Sequence, residues 1–439
     1  MSMLDLLAVR RDGQVHTREQ LRFLCQGAAK QEIPDYQLSA WLMAAFLNPL
    51  SHQETAWLTQ EMAASGERID LTGLPKPWVD KHSTGGVGDK TTIVLLPLLA
   101  SCGVTMAKMS GRGLGITGGT IDKLASVPGF RLDLTPEELK DQAARIGVAI
   151  TGQTPRLAPA DKKLYALRDA TATVASVPLI VSSVLSKKIA GGAETIVLDV
   201  KCGSGAFMPD LQAAHNLAVQ LRDVGKLCGL NVWISITDMS QPLGSAVGNA
   251  LEVKEALCVL ANRATPVQSR FRDLCIALGA ETLVACGKAK DLRAGEAQIL
   301  EALGSGSAWE QAKVWFAAQG CTIPLNDLKG MLPQAPIITD FVWDGPAGFV
   351  ERVNALVVGQ VVVGLGGGRE HRDDVIDPSV GIESMKSVGD AIQPGETVFK
   401  VHAASTHDAE RAKGALRSAL AVVNHHVKPI PLILQTVRD

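Results

Sequence analysis

Apolar side chains in residues 1–66 recur at the spacing of amphipathic helices. Leu38 and Trp41 lie three residues apart on such a face, and Thr17 with the polar residues after it gives a typical helix-start signal. We therefore predict an all-helical domain over this segment. A second helical stretch, over residues 161–190, is expected to complete it.

Beyond Pro75 the pattern changes to an alternation of short strands, glycine-rich turns and helices. Apolar strands predicted at 78–82 and 104–109 are each followed by such a turn and by a helix. This alternation is typical of a parallel sheet with helical crossovers. We therefore predict a larger mixed α/β domain over residues 75–155 and 195–335.

The composition changes again near residue 336, where glycine and valine become frequent. Short strands are predicted at 347–353, 359–363 and 396–402, and a helix at 409–421. These elements define a C-terminal α+β region over residues 336–439. The predicted fold class is accordingly α/β, with a small all-helical domain, a larger mixed α/β domain and this C-terminal region.

Composition and charge exclude several classes of protein. The 439 residues include 43 Lys and Arg against 45 Asp and Glu, so the formal net charge is −2. A nearly neutral chain lacks the basic excess of a dedicated nucleic-acid-binding protein, and aromatic residues, at 4%, are too few for a long stacking surface. With 46% hydrophobic residues, the chain is not disordered as a whole. We expect no nucleic-acid partner.

Cysteine spacing and apolar runs indicate the compartment. None of the eight cysteines forms a CxxC pair, which excludes a zinc ribbon and a thioredoxin-like motif. The longest apolar run, 93–100, is far too short to span a bilayer, and the N-terminal segment lacks the pattern of a signal peptide. We therefore predict a cytoplasmic protein with reduced cysteines and no membrane partner.

Three glycine clusters, at 83–89, 110–120 and 203–206, each follow a predicted strand. Ligands of parallel sheets bind at the carboxyl ends of the strands, and glycine lets backbone N–H groups approach an anion closely. Tight turns without a ligand are the alternative for any one cluster. Two successive clusters flanked by lysines and hydroxyl groups favour a phosphate site. The flanking residues are Lys81, Ser83, Thr92, Lys108, Ser110 and Thr120.

Other nucleotide-binding motifs fit this region poorly. A Walker A loop needs glycine at the position where Asp89 precedes Lys90. Gly113, Gly115 and Gly118 match the dinucleotide pattern formally, but the extra glycines and hydroxyl groups suit a small anion better. A dinucleotide site is kept as an alternative.

Four polar side chains in the second helical stretch are arranged in two pairs. Tyr165 and Arg168 lie three residues apart on one helix. Ser183 and Lys187 lie four apart on the next, so each pair shares a helix face. Such groups fit a flat polar ring with carbonyl edges, although an ordinary solvated face explains the same spacing. His82, at a strand end where a ligand would bind, is a candidate for either a chemical or a structural role.

Long, ordered runs of the sequence match one enzyme family. The runs are KHSTGGVGD at 81–89, MSGRGLG at 109–115, TGGTIDK at 117–123, APADK at 158–162, DVKCGSGAFM at 199–208 and DMSQPL at 238–243. They closely resemble the pyrimidine nucleoside phosphorylase and thymidine phosphorylase family. The resemblance implies phosphorolysis of uridine, thymidine and deoxyuridine to the free base and (deoxy)ribose 1-phosphate. It implies a pentosyltransferase with phosphate as co-substrate and no organic cofactor.

The resemblance also implies roles for individual residues. Phosphate would be bound by Lys81, Ser83, Thr92, Lys108, Met109, Ser110 and Thr120. The pyrimidine would be bound by Tyr165, Arg168, Ser183, Lys187, Phe207 and Met208. The catalytic residues would be His82, Arg168 and Lys187. In the family a helical lobe and an α/β lobe close over a cleft between them, and the helical lobe forms a homodimer; we expect the hinge at residues 152–159.

Two positions depart from the family pattern. Ile116 stands where the family has His, so any polar contact of that His across the cleft is lost. Lys90 stands where the family has a neutral Thr, beside positions at which some relatives bind potassium. We expect the Lys90 ammonium to replace the ion or to weaken its site. The matching potassium positions are Gly88, Leu243, Ala246 and Glu255.

Three alternatives to the leading interpretation stay open. The first is a phosphorylase restricted to thymidine. The second is a phosphoribosyltransferase of the same fold, which would use pyrophosphate and would not need the set of Arg168, Ser183 and Lys187. The third is a non-catalytic protein that binds nucleoside or phosphate, weakened as an enzyme by Ile116.

Overall fold

The computed structural model describes residues 1–113, 115–154, 156–327, 330, 332–371 and 373–438. The helices of these residues are α1 (Met3–Arg11), α2 (Arg18–Ala29), α3 (Asp35–Leu47), α4 (His52–Ala63), α5 (Thr91–Ser101), α6 (Thr120–Leu124), α7 (Pro136–Ile146), α8 (Pro159–Ala170), α9 (Val177–Ala190), α10 (Leu211–Leu227), α11 (Asn249–Leu260), α12 (Ser269–Ala285), α13 (Leu292–Gly304), α14 (Ser307–Ala318), α15 (Ala355–Gly364) and α16 (Thr406–Leu416). The strands are β1 (Val79–Ser83), β2 (Met106–Ser110), β3 (Val148–Gly152), β4 (Thr195–Cys202), β5 (Asn231–Asp238), β6 (Ala246–Val247), β7 (Ile337–Val342), β8 (Gly348–Val353), β9 (Gly381–Ser384), β10 (Ala391–Ile392), β11 (Thr397–Ala403), β12 (Leu420–Val423) and β13 (Ile433–Val437).

The helical domain is built from two separate segments of the chain. Reciprocal side-chain caps start α1, α2 and α4, so these helix boundaries follow from the local sequence. The apolar core takes Leu21, Trp41 and Leu58 from the first segment. Leu164 of α8 and Leu179 of α9 complete the same core from the second segment. The later helices therefore bury the apolar faces of the earlier ones.

The α/β domain contains a parallel sheet whose strand ends share one edge. Strand β4 pairs in parallel with both β1 and β5, and β13 adds antiparallel to β5. Strands β2 and β3 pair in parallel beside them, and a bridge between Trp78 and Thr105 joins the two groups. Helices α9 and α10 cover one face of the sheet, and α12 covers the other and packs on α5. The strands predicted at 78–82 and 104–109 are present with ends shifted by one or two residues.

Three chain segments connect the helical and α/β domains. In chain order they are residues 64–78, 153–158 and 191–194. The predicted hinge, 152–159, lies next to the first connection, where Glu67 N donates to Arg156 O at 2.9 Å. Ile69 N donates to Ala190 O at 2.8 Å and joins the first connection to the third. Pro155 of the predicted hinge lies outside the described residues.

One strand predicted in the C-terminal region is a helix in the structure. Residues 359–363 lie inside α15, which begins where the Asn354 side chain accepts the Val357 N–H. A run of valines fits a buried helix face as well as a strand, so periodicity alone did not distinguish them. Gly359 lies so close to Ile116 that only a residue without a side chain fits at that point of the helix.

The helix predicted at 409–421 is shorter than expected. Helix α16 ends at Leu416, and residues 420–423 form β12, which pairs antiparallel with β8. The C-terminal region is also interleaved with the α/β domain, because β6 pairs with β9 and β13 pairs with β5. One apolar core joins the two regions. Within the described residues, no helix combines the length and the apolar character needed to cross a membrane.

Candidate functional site

The predicted phosphate residues come together at one edge of the parallel sheet. Strand β1 ends in residues 81–83 and strand β2 ends in residues 108–110. Helices α5 and α6 start directly after the two glycine loops and carry Thr92 and Thr120 in their first turns. Because the bridge between Trp78 and Thr105 sets β1 and β2 parallel, both loops and both helix starts lie at the same edge. This edge therefore gathers Lys81, Ser83, Thr92, Lys108, Met109, Ser110 and Thr120.

Buried opposite charges hold Lys81 in place. Its Nζ donates to Thr91 Oγ1 and lies 3.6 Å from Asp199 Oδ2. Lys201 Nζ lies 2.7 Å from the same Asp199 oxygen. Burial alone would raise the pKa of Asp89, but the ammonium groups of Lys201 and Lys81 outweigh it and keep that pKa well below its usual range. The positive charge at the end of β1 is thus positioned before any anion binds.

A second charged group links the strand ends to the helical domain. Asp80 Oδ1 lies 2.6 Å from Lys108 Nζ, and its Oδ2 lies 2.8 Å from Lys188 Nζ of α9. Burial opposes ionisation of Asp80, yet the two ammonium groups bring its pKa below the usual value. Burial lowers the pKa of Lys108 to about 7, although Asp80 acts against the shift. Lys108 therefore titrates near neutral pH, where a bound anion favours its charged form.

His82 is surrounded by cations. Burial, together with the ammonium groups of Lys188, Lys108 and Lys187, holds the pKa of its imidazole well below the usual range. An imidazole in these surroundings is neutral near pH 7 and carries one N–H. It is equipped to donate a hydrogen bond to a carbonyl oxygen rather than to deliver a proton.

Helices α8 and α9 place the predicted pyrimidine residues on the other side of the cleft. Lys187 Nζ donates to Ser183 Oγ at 2.8 Å, as their spacing predicts, and to Asp161 Oδ2 at 2.7 Å. Arg168 is buried and donates to three backbone carbonyls, two between α8 and α9 and one, that of Leu179, within α9. The ring of Tyr165 lies 5.7 Å from the guanidinium carbon of Arg168 and remains partly exposed.

A small cavity lies between strands β1 and β2 on one side and the end of α9 on the other. Asp80, Met109 and Gln153 line it from the α/β side, and Lys187 and Lys188 line it from α9. Of the predicted site residues, Met109 from the phosphate set and Lys187 from the pyrimidine set line this cavity, and the other predicted residues do not. A ligand in this cavity would contact both domains.

Phe207 and Met208 directly follow the third glycine cluster, which comes after β4. Gly203 N donates to Met208 O at 2.9 Å and closes a tight loop. The φ angle of Gly203, 133°, is one that side-chain-bearing residues rarely adopt. Met208 packs against the core beneath β4, whereas Phe207 is 59% exposed. The loop thus presents one large apolar side chain to solvent.

The positions expected to bind potassium surround the ammonium group of Lys90. Lys90 is fully buried, and its Nζ donates to the carbonyls of Leu243 and Ala246. The same Nζ lies 2.6 Å from Glu255 Oε2. Gly88 lies against these carbonyls, where a Cβ would come within 3.0 Å of Leu243 O. The oxygen atoms that would bind a monovalent cation already surround the Lys90 ammonium group, so these residues do not fit a second cation.

No other arrangement suited to a metal ion occurs in the described ranges of the chain, where no group of three or more His, Cys, Asp or Glu side chains converges. The groups that converge at the strand ends are charged and hydroxyl side chains and backbone N–H groups.

Sequence reasoning missed the charged partners that orient the site. Asp80, Lys188 and Asp161 hold the lysines of the cleft, and Asp199 with Lys201 holds the end of β1. The available signal was their position in the sequence. Lys188 follows Lys187, and the other four lie inside or next to the matched runs. Their pairing across separate elements depends on the fold and has no signature in residue spacing.

The fold and the site together define a glycosyl transferase with a helical bundle domain and an α/β domain. Family profiles described as the helical bundle domain and the a/b domain of that glycosyl transferase family match residues 4–66 and 75–309. A profile described as the pyrimidine nucleoside phosphorylase C-terminal domain matches residues 349–422.

The chain belongs to the pyrimidine nucleoside phosphorylase family. It is 48% identical over 402 residues to the pyrimidine-nucleoside phosphorylase of Geobacillus stearothermophilus, an alignment that covers 92% of each chain. It is 42% identical over 429 residues, 98% of each chain, to the enzyme of that name from Staphylococcus aureus strain MSSA476. The predicted family is confirmed.

A solved structure supports the fold class. Anthranilate phosphoribosyltransferase from Thermus thermophilus aligns with a TM-score of 0.59 and 18% identity, over 72% of this chain and 99% of that chain. At this identity the likeness concerns the fold alone. Together with the family profiles, it confirms a helical domain, an α/β domain and a further C-terminal region.

Proposed function

We propose that this chain is a pentosyltransferase that cleaves pyrimidine nucleosides by phosphorolysis, with uridine, thymidine and deoxyuridine as substrates. The observation that carries the proposal is the Asp80 carboxylate, which lies 2.6 Å from Lys108 Nζ and 2.8 Å from Lys188 Nζ. It joins the strand-end residues to α9, the helix that carries the Lys187–Ser183 pair. The names of relatives that are 42% and 48% identical over nearly the whole chain support it.

Phosphate is both co-substrate and nucleophile in this reaction. One phosphate oxygen bonds to C1′ of the sugar while the bond from C1′ to the ring nitrogen breaks, and the electron pair leaves with the base. Because phosphate itself attacks, no pair of carboxylates of the glycosidase kind is needed. The residues proposed to bind phosphate are Lys81, Ser83, Thr92, Lys108, Met109, Ser110 and Thr120.

The departing pyrimidine carries negative charge on its ring nitrogen and carbonyl oxygens. Arg168 and Lys187 are proposed to stabilise that charge, and one preorganised donor of this kind lowers a barrier by roughly 3 kcal/mol. Asp161 and Ser183 hold the Lys187 ammonium in position. His82, being neutral, donates a hydrogen bond to a ring carbonyl.

The remaining side chains proposed for the base are Tyr165, Phe207 and Met208. They supply the apolar and aromatic surface that a flat ring needs beside its polar partners. Closure of the two lobes would exclude water, which competes with phosphate for C1′.

Incubation with thymidine or uridine, with and without phosphate, tests the proposal. We expect release of free base and pentose 1-phosphate only when phosphate is present. Base release that ignores phosphate, or no release, would contradict phosphorolysis. Activity on thymidine alone would indicate the restricted enzyme, and activity that requires pyrophosphate would indicate the phosphoribosyltransferase. Tight nucleoside binding without turnover would indicate a binding protein.

We also propose a homodimer formed through the helical domain. The neighbouring helices α1 and α3 carry large exposed apolar side chains, which are typical of association surfaces. These side chains are Leu4, Tyr36, Met43, Phe46 and Leu47. Light scattering after gel filtration should give twice the chain mass, and Leu47→Glu should give the single mass. Leu300→Glu, at an exposed leucine of α13, is the matched control and should stay dimeric. A wild-type monomer at micromolar concentration would contradict the proposal.

A cytoplasmic location completes the proposal. All eight cysteines are free thiols, which suits a reducing compartment. Fractionation of the source cells should recover the protein with cytoplasmic markers, and recovery with membranes or medium would contradict it.

We propose that the Lys90 ammonium takes the place of potassium in this chain. Its contacts with Leu243 O, Ala246 O and Glu255 support the proposal. Wild-type activity should be equal in potassium chloride and in sodium chloride of the same ionic strength. Lys90→Thr removes the charge, and this variant should depend on added potassium. Strict potassium dependence of the wild-type protein would contradict the replacement.

A further inference from the structure

A buried arginine of the C-terminal region binds the second glycine loop. Arg369 follows α15, and its backbone carbonyl accepts the N–H of Gly115 at 2.8 Å. Its Nη1 donates to the carbonyl of Gly113 at 3.3 Å. Leu114, between these glycines, lies outside the described residues. Two points of the loop are thus attached to one residue that lies about 250 positions later in the chain.

Asp122 completes the attachment from the other side. Its Oδ1 lies 2.9 Å from Arg369 Nη2, and its Oδ2 accepts the N–H of Gly113 at 2.7 Å. Both side chains are more than nine-tenths buried, so water does not compete for the ion pair. Because Asp122 lies in the first turn of α6, the pair ties the loop to the helix that begins at Thr120.

Helix α15 of the same region touches both glycine loops at one point. A Cβ at Gly359 would lie 2.8 Å from Ile116 Cβ and 2.9 Å from Val87 Cγ2. Val87 belongs to the first glycine cluster and Ile116 to the second. The isoleucine that replaces the family's His therefore packs toward the C-terminal region, where it makes an apolar contact. Both loops rest on the same helix.

We propose that Arg369 is a positioning residue for phosphate binding. The inference rests on the proposed function, because it concerns the phosphate subsite of that reaction. Backbone N–H groups and hydroxyl groups bind an anion well only at fixed distances from its oxygen atoms. Arg369 fixes the loop between Ser110 and Thr120 through Gly113, Gly115 and Asp122, and acts on phosphate through that loop. The C-terminal region thereby sets the affinity of a site formed by the α/β domain.

Arg369→Gln tests the proposal, because it removes the charge and the forked donor. We expect the phosphate KM and the dissociation constant of inorganic phosphate, measured by calorimetry, to rise roughly tenfold. The nucleoside KM should stay unchanged, and Arg369→Lys should recover part of the phosphate affinity. Ile116→Ala, which removes only the apolar contact with Gly359, should raise the phosphate KM to a smaller extent.

Arg417→Gln is the matched control, since Arg417 is an exposed arginine of the same region that pairs with Asp344 at 2.6 Å. It should leave both KM values unchanged. Unchanged phosphate affinity in Arg369→Gln, or an equal rise of both KM values, would overturn the proposal. If Arg369→Gln does not fold, Arg369→Lys and Ile116→Ala decide the question by the same KM comparison.

The calorimetric measurement separates this inference from the proposed function. A wild-type protein that binds phosphate but releases no base would contradict the function, and the affinity of Arg369→Gln would still decide the positioning role. A wild-type protein that binds no phosphate would contradict both.

Discussion

Replacing Lys90 with methionine removes a buried positive charge and keeps an unbranched side chain. The Glu255 carboxylate then remains buried with only the backbone N–H groups of Ser245 and Ala246 donating to it, each at 2.8 Å. Leu243 O loses the same donor. The substitution therefore leaves a charge and two carbonyl groups without their cation.

The expected loss of stability follows from these contacts. Removing one partner of a buried ion pair destabilises a protein by about 3–5 kcal/mol, because the other charge is left uncompensated. The two N–H donors to Glu255 remain and reduce the loss. Lys90 Nζ also lies 4.9 Å from the centroid of the Phe271 ring, and removal of this cation–π contact increases the loss of stability. We expect a net destabilisation of roughly 3–4 kcal/mol, within the range for broken buried pairs.

Thermal unfolding measures this prediction. The midpoint of Lys90→Met should fall by several degrees, and the double variant with Glu255→Gln should recover most of the loss because no charge stays unpaired. Lys123→Met is the matched control, since it breaks the neighbouring buried pair with Glu252, in which the charged atoms are 2.8 Å apart. It should also destabilise the protein, but Glu255→Gln should not recover its stability, because the carboxylate left unpaired is that of Glu252. A Lys90→Met protein as stable as wild type, or a double variant no better than the single one, would refute the reasoning.

Three further predictions concern the cleft. Burial lowers the pKa of Lys108 to about 7, so its ammonium group loses its charge as the pH rises through that value. Sulfate, which stays a dianion over this range, should therefore bind more weakly as the pH rises. Calorimetry on Lys108→Arg, which stays charged, should show no such decline. Burial and nearby lysines keep the pKa of His82 well below its usual range, so the wild-type imidazole is neutral and acts as an N–H donor. His82→Gln still has an N–H donor and should therefore retain a kcat roughly ten times that of His82→Ala. Equal losses would contradict a hydrogen-bonding role. Asp161→Asn should lower kcat with little change in phosphate KM, because Lys187 loses the carboxylate 2.7 Å from its Nζ; a change confined to phosphate KM would be inconsistent with a role at the base.

Local patterns predicted much of the fold and of the candidate site. The helix start at Thr17 and the pairing of Ser183 with Lys187 depend on neighbours within four residues, and the structure contains both. The grouping of the first two glycine loops follows from a general property of parallel sheets. Such features are visible in sequence because a short stretch of chain determines them.

Features that depend on distant contacts were not predictable in this way. The valine run at 359–363 fits two kinds of element, and in the structure it is part of α15, which packs on residues more than 200 positions earlier. The pairing of Asp80 with Lys188 and of Arg369 with Asp122 likewise requires the folded chain. Residue type and spacing identify charged side chains, but they do not identify the partner that neutralises each one.

The two-segment construction of the helical domain constrains how this protein can recombine with its relatives. A crossover near residue 66 would take α1–α4 from one parent and α8 and α9 from the other. Leu164 and Leu179 would then meet a foreign set of core side chains, with mismatched volumes and cavities. Exchange of the whole domain therefore requires three coordinated crossovers, one near residue 66, one before α8 and one after α9. Residues on either side of the phosphate loops must be inherited together.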